Sequence, residues 1–139
     1  MATDGSGNIF VVWEQDGCLQ RDQIFFARST DGGDTFSPPR NISNATGLAF
    51  RHAIATDERG SLLVVWVNQP DVSRRQIFFS RSDNEGESFS MARNISNTPG
   101  WADFPRIGTD RYGNIFVVWE NFTLGHSQIF FNQSTPNEN

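Results

Sequence analysis

The 139-residue sequence has no lysine, one cysteine and two histidines, and each scarcity removes a class of function. All 11 basic side chains are arginines, scattered along a chain of formal charge −5. A nucleic-acid surface needs a clustered basic face, so no nucleic-acid partner is expected. A single Cys18 cannot form a disulfide within the chain. With no histidine at a repeated position to activate it, Cys18 reads as an incidental thiol rather than a nucleophile. His52 and His126 have no ligand partners at metal-binding spacing, so neither a metal nor another cofactor is expected.

Long apolar runs are also missing. None approaches the ~18 residues a membrane-spanning helix requires, so no membrane partner is expected. The start, Met1-Ala2-Thr3-Asp4, has no basic and apolar leader pattern, so no secretion signal is expected in this form and the compartment stays open. No stretch has helical periodicity with caps, and essentially no helix is expected.

What is present is repetition. Trp13, Trp66 and Trp119 stand 53 residues apart, and Ala2-Thr3-Asp4 returns as Ala55-Thr56-Asp57 and Gly108-Thr109-Asp110. Gln23-Ile24-Phe25-Phe26 recurs as Gln76-Ile77-Phe78-Phe79 and, one residue early, as Gln128-Ile129-Phe130-Phe131. Arg40-Asn41-Ile42-Ser43-Asn44 recurs as Arg93-Asn94-Ile95-Ser96-Asn97. Asn-x-Ser/Thr sequons begin at Asn41, Asn44, Asn94, Asn121 and Asn132. Two are copies within the repeat and read as by-products of its strand chemistry. A period near 50 residues marks a propeller, solenoid or array of one stacked unit.

In the middle copy Ile54-Ala55-Thr56 reads as a short strand A, followed by a turn closed by Gly60. Leu62-Leu63-Val64-Val65-Trp66 is strand B, paralleled by Ile9 to Trp13 and Ile115 to Trp119. A five-residue apolar run bounded by turn signals suits a strand buried on both faces. Gln76 to Arg81 is strand C, and Met91 to Ile95 approximates strand D. The expected fold is therefore all-β: a β-propeller of about three four-stranded antiparallel blades per chain. The blades span residues 1–53, 54–106 and 107–139, the first with strand A truncated and the third without strand D.

Between strands C and D lies Ser29-Thr30-Asp31-Gly32-Gly33-Asp34-Thr35-Phe36. Ser29, Asp31, Gly33, Thr35 and Phe36 match the Asp-box, or BNR repeat, of sialidase-like propeller blades, which this turn resembles. The second copy keeps Ser82, Gly86, Ser88 and Phe89 and has Asn84 in the aspartate position; the third opens Ser134-Thr135-Pro136-Asn137 and stops. The resemblance implies a structural turn remote from any catalytic centre. It also implies a six-bladed ring and, in active sialidases, an arginine triad, a Tyr–Glu nucleophile pair and an acid/base Asp. Phe104-Pro105-Arg106-Ile107 departs from the Arg-Ile-Pro order of those enzymes, and the single tyrosine, Tyr112, falls in an A–B turn at the wrong end. No catalytic residue is assigned, and the chain is expected not to be an enzyme.

The B–C loops and D–A connections share one end of the blades and differ most between copies, which makes that end the candidate binding face. Arg51, Arg106, Trp101 and Asp103 are the candidate ligand residues there, with carbohydrate as the candidate ligand. Met1 falls inside strand A and Asn139 just past strand C, so the chain reads as a half-propeller with two open blade faces. The primary expectation is a non-enzymatic, self-assembling repeat module, a homodimer that closes six blades. The alternative is a glycan-binding or sialidase/glycosidase-type propeller fragment.

Overall fold

The computed structural model describes residues 1–16, 21–123 and 125–134. Cys18 and the unfinished third turn beyond Ser134 lie outside them. Every regular element among the described residues is a strand. The first sheet has the order β1 (Ala2–Thr3), β2 (Ile9–Asp16), β3 (Asp22–Ser29), β4 (Arg40–Asn41). The second unit is β5 (Leu48–Thr56), β6 (Leu62–Asp71), β7 (Arg74–Ser82) and β8 (Arg93–Asn94). The third is β9 (Trp101–Thr109), β10 (Ile115–Thr123) and β11 (His126–Ser134), joined to the second by one parallel pairing, Arg75 to Trp101. Within each unit neighbouring strands are antiparallel. The result is an all-β fold of three meanders.

The apolar runs become the middle strands because alternate residues can bury on opposite faces. β6 does this completely. Leu62, Val64 and Trp66 enter a core shared with Phe10, Val12, Ile24 and Phe26 of the first unit. Leu63, Val65 and Val67 enter a second core with Ile115, Val117 and Trp119 of the third. All six β6 side chains are fully buried. Each is worth ~1.5–3 kcal/mol when so buried. The repeated tryptophan packs against its cross-strand phenylalanine in all three units, stacked for Trp13 on Phe25 and Trp119 on Phe130 and tilted for Trp66 on Phe78.

The inner strands are longer than the three-residue strand A read from the sequence. Leu48 and Ala49, expected in a connection, pair with Gln69 and Asn68 because β6 extends far enough to offer partners. Trp101 and Ala102 likewise pair with Phe122 and Asn121. Strand D is shorter than expected, only two residues in each of its two copies. The inner strands are also linked laterally: Thr56 Oγ1 donates to the Thr3 carbonyl at 3.0 Å, and Thr109 Oγ1 to that of Thr56 at 2.9 Å.

The recurring Gln and Asn-Ile-Ser-Asn segments prove to be two halves of one latch. Buried Gln76 donates from Nε2 to the Thr98 carbonyl at 2.8 Å, and its Oε1 accepts from Thr98 N and Ser96 Oγ, each at 3.1 Å. Ser96 Oγ in turn accepts from Ile77 N. Gln23 repeats this on Gly47, Ala45 and Ser43. Asn41 and Asn94, the copied sequon asparagines, cap the same turns by accepting from the backbone amides two and three residues on. Buried polar groups need such partners, which explains why these polar residues return with the strands.

Candidate functional site

The turns at the lower end are built on carboxylates and amides that accept backbone N–H groups. Asp4, Asp57 and Asp110 each accept two, from residues two and four positions on. In the Ser29–Phe36 hairpin, Asp31 Oδ1 accepts from Ser29 Oγ at 2.7 Å and Thr35 N at 2.9 Å, while Ser29 Oγ accepts from Gly33 N. The second copy repeats the network with Asn84: Oδ1 accepts from Ser82 Oγ and Ser88 N, and Nδ2 donates to Ser88 Oγ at 2.8 Å. Gly86 N donates to Ser82 Oγ. Phe89 packs edge-on against Phe26 of the first unit, whereas its counterpart Phe36 is half exposed. Nine of the ten residues of these two hairpins, all but Phe36, are thus held by mutual contacts or packing at the end away from the arginine cluster.

These networks carry a pH signature. The hydrogen bond from Ser29, followed by those from Thr35, holds the Asp31 carboxyl well below its ordinary 3.8. A depressed folded-state pKa contributes stability above the unfolded value and loses it as pH falls through the folded one. The first hairpin should therefore weaken progressively below pH 3.8. Asp31→Asn copies the natural second hairpin and should keep the turn while removing that dependence. Amide hydrogen exchange at Gly33 and Thr35 between neutral and acid pH measures it; equal acid sensitivity in both proteins would refute the assignment.

At the opposite end lies a compact ionic and aromatic cluster. β5 and β9 each carry a register shift, between Phe50 and Ala53 and opposite Val118/Glu120. Arg51 and Phe104, one repeat apart, both take φ 52° there. A non-glycine residue in this region costs roughly 1–2 kcal/mol. Each strained amide is caught by a carboxylate: Arg51 N donates to Glu14 Oε1 at 2.6 Å, Phe104 N to Asp103 Oδ1 at 2.9 Å.

Asp103 is the hub. Its side chain is 3 % exposed, and its Oδ2 accepts from Arg51 Nη1 and, at 2.6 Å, from Arg75 Nη1. Arg51 lies 4.2 Å over the Phe104 ring and Arg75 4.4 Å over Trp101, with Phe50 between them at 5.5 and 5.2 Å. Cations over aromatic faces are stabilised by the ring quadrupole. Two guanidinium groups on one carboxylate give the Arg51–Arg75–Asp103 triad a net charge of +1, beside the Glu14 carboxylate held at Arg51 N, and Arg51 keeps 40 % of its side chain exposed. His52 Nδ1 lies 3.4 Å from Glu14; burial lowers the imidazole pKa and Glu14 works against that shift.

Of the sequence candidates, Arg51, Trp101 and Asp103 meet in this cluster. Arg106 does not; exposed on β9, it donates to the Pro105 carbonyl. Arg75 and Phe104 belong to the cluster but were not singled out as ligand residues. Arg75 reaches it through its parallel pairing with Trp101, a contact between units that has no trace in the repeat period. Tyr112 sits exposed in the turn after β9, bonded to Arg111, at the other end. Among the described residues no group of three or more His, Cys, Asp or Glu is placed to hold a metal, and no helix is long and apolar enough to cross a membrane.

Three antiparallel meanders packed face to face, with latched outer strands and lengthened inner ones, define a sialidase-like all-β fold. A Hadza microbial sialidase matches 94 % of this chain with a TM-score of 0.71 at 21 % identity. An intramolecular trans-sialidase from Ruminococcus gnavus, solved with oseltamivir carboxylate, matches 99 % at 0.63 and 14 % identity. An ulvan lyase bound to a GlcA–Rha3S ligand matches 84 % at 0.56 and 14 % identity. At these identities the likeness is one of fold. The chain spans about a third of the length of each. No family model and no curated protein sequence matches it.

Proposed function

We propose that the chain is part of a sialidase-like, glycan-binding propeller that takes a carboxylated sugar at the Arg51–Arg75–Asp103 end. The observation that carries this reading is the cluster itself. Two guanidinium groups are fixed by one buried carboxylate and backed by three aromatic rings. Fixed guanidinium groups match carboxylate geometry; Arg75 Nε is taken by Gln69 Oε1 at 3.0 Å, and the Nη2 groups of Arg51 and Arg75 are left to meet a ligand. Trp101 and Phe104, each about 40 % exposed, offer apolar faces to a pyranose ring beside that charge. Arg106, exposed farther along β9, is a third cation for a longer acidic chain. The similar solved proteins are named for sialic-acid chemistry or hold carboxylate-bearing ligands, which supports the same class.

Titration with N-acetylneuraminic acid and glucuronic acid, followed by Trp101 fluorescence, tests the reading. Binding should fall about tenfold or more in Arg75→Ala, weaken with added salt, and vanish for the methyl esters. Equal affinity for acid and ester would refute it. A fluorogenic sialoside separates binding from turnover: hydrolysis lost in Arg51→Ala would make the site catalytic.

A further inference from the structure

The outer halves of the first two units are parted by a cleft. It consists of two adjoining hollows of about 670 and 450 Å³, with Thr46, Asn68 and Phe78 in the wall of both. One side is the Arg40–Thr46 segment of the first unit, and the other is β6, β7 and residues 88–92 of the second. Ile42, Ala45, Phe78, Phe89 and Met91 make the larger hollow mainly apolar.

Asn68 is the anomaly in this wall. The same repeat position is Gln15 in the first unit, whose Oε1 accepts from Trp13 Nε1 at 3.0 Å. In the third unit it is Asn121, whose Nδ2 donates to Thr123 Oγ1 at 2.8 Å. Asn68 is one methylene shorter than Gln15, and the Trp66 indole N–H is left buried without a partner. The Asn68 amide itself makes no hydrogen bond among the described residues, although the residue is only 8 % exposed. Thr98 Oγ1, in the wall of the smaller hollow, is also buried without a partner. Buried polar groups are normally paired, so idle ones facing a cleft call for a partner from outside.

The walls define that partner's chemistry. Their two charged side chains are already engaged, Arg40 on the Gly86 and Glu87 carbonyls and Arg74 on Asp71, which favours an uncharged ligand. A primary amide offers a donor and an acceptor side by side, and another amide is its natural complement. A peptide strand would need a backbone edge to pair with. The amides of Ile42, Ser43, Asn44 and Ala45 are all spent, on the Ile24 carbonyl, Asn41 Oδ1 and Gln23 Oε1. We propose that the cleft is a second sugar site, selective for an uncharged N-acetylhexosamine whose acetamide pairs with Asn68. The acetamide N–H donates to Oδ1, its carbonyl accepts from Nδ2, and its methyl lies against Phe78 and Ala45. Ring hydroxyls meet Thr46 and Thr98. Neither hollow includes Arg51, Arg75 or Asp103, so this site stands apart from the carboxylate-binding end.

Titration of isotope-labelled protein with methyl N-acetyl-β-glucosaminide, followed by nuclear magnetic resonance, tests this. The Asn68 side-chain amide and Trp66 indole signals should shift saturably, while the Trp101 indole stays in place. Methyl glucoside, which lacks the acetamide, should shift neither. Asn68→Gln should restore to Trp66 the bond that Trp13 has, keep or raise the urea midpoint, and weaken sugar binding about tenfold or more. Asn68→Ala should weaken binding as much without that gain in stability. Absence of a saturable shift in wild type would overturn the proposal, and so would equal shifts with methyl glucoside. Equal shifts with N-acetylalanine methylamide would make the cleft a peptide site and overturn it too. Glucuronic acid has no acetamide and should leave the Asn68 signals unmoved, so this reading and the carboxylate reading fail separately.

Discussion

Gly86→Ala should cost about 2–5 kcal/mol and shift the denaturation midpoint much further than Gly7→Ala, at a glycine of similar φ. Two effects coincide there. Gly86 has φ 83°, where a Cβ costs roughly 1–2 kcal/mol. That Cβ would also lie 2.3 Å from Phe26 Cζ and 2.4 Å from Cε1, with Leu62 Cδ1 at 3.3 Å. Phe26 is 2 % exposed and cannot move without opening the core between the first two units. Gly7→Ala is the control, with φ 85° and no atom within 4 Å of the added carbon; it should cost only about 1 kcal/mol. Urea denaturation followed by tryptophan fluorescence reads both. Equal losses would place Phe26 elsewhere, and Phe26→Leu should recover part of the Gly86→Ala loss through relief of the same contact.

Asp103→Asn should move stability and anion binding in opposite directions. Removing one partner from a buried ion cluster typically costs about 3–5 kcal/mol, reduced here to about half because Arg51 and Arg75 keep partial contact with water. The amide is nearly the shape of the carboxylate, so the fold should survive. The triad charge then rises from +1 to +2, and the affinity for a carboxylated sugar should rise with it at low salt. Thermal unfolding and the glucuronate titration measure the two quantities. A variant that is less stable and also binds more weakly would make Asp103 a positioning residue whose grip on Arg75 matters more than its charge.

The three strand runs and their turns were legible because burial and backbone geometry leave a local mark: five apolar residues, then a glycine or an Asx turn. The twofold burial of Leu62 to Trp66 followed from the same mark. The lengthened β5 and β9 did not, since Leu48 and Trp101 become strand only through the partners that β6 and β10 extend to them. Likewise Arg51, Trp101 and Asp103 were recognisable as candidate ligand residues at the variable end, while Arg75, in a loop at that same end, was not chosen with them. It stands on the unit of Arg51 while Trp101 and Asp103 stand on the next, and the contact depends on how neighbouring units pack. Arg106 was grouped with Arg51 by residue type; the register puts Arg106 in the place of Ala53, two steps beyond the strained position.

β6 lends one side to each core, and this has a thermodynamic corollary. In stacked-repeat proteins the stability of the whole approximates a sum of unit terms and nearest-neighbour couplings, and weak couplings let units melt singly. Here Leu62, Val64 and Trp66 cannot leave their core unless Leu63, Val65 and Val67 leave theirs, because they share one backbone. The two couplings are thereby linked through a single covalent strand, and melting should be cooperative across the chain, with the middle unit the last to become independent of its neighbours.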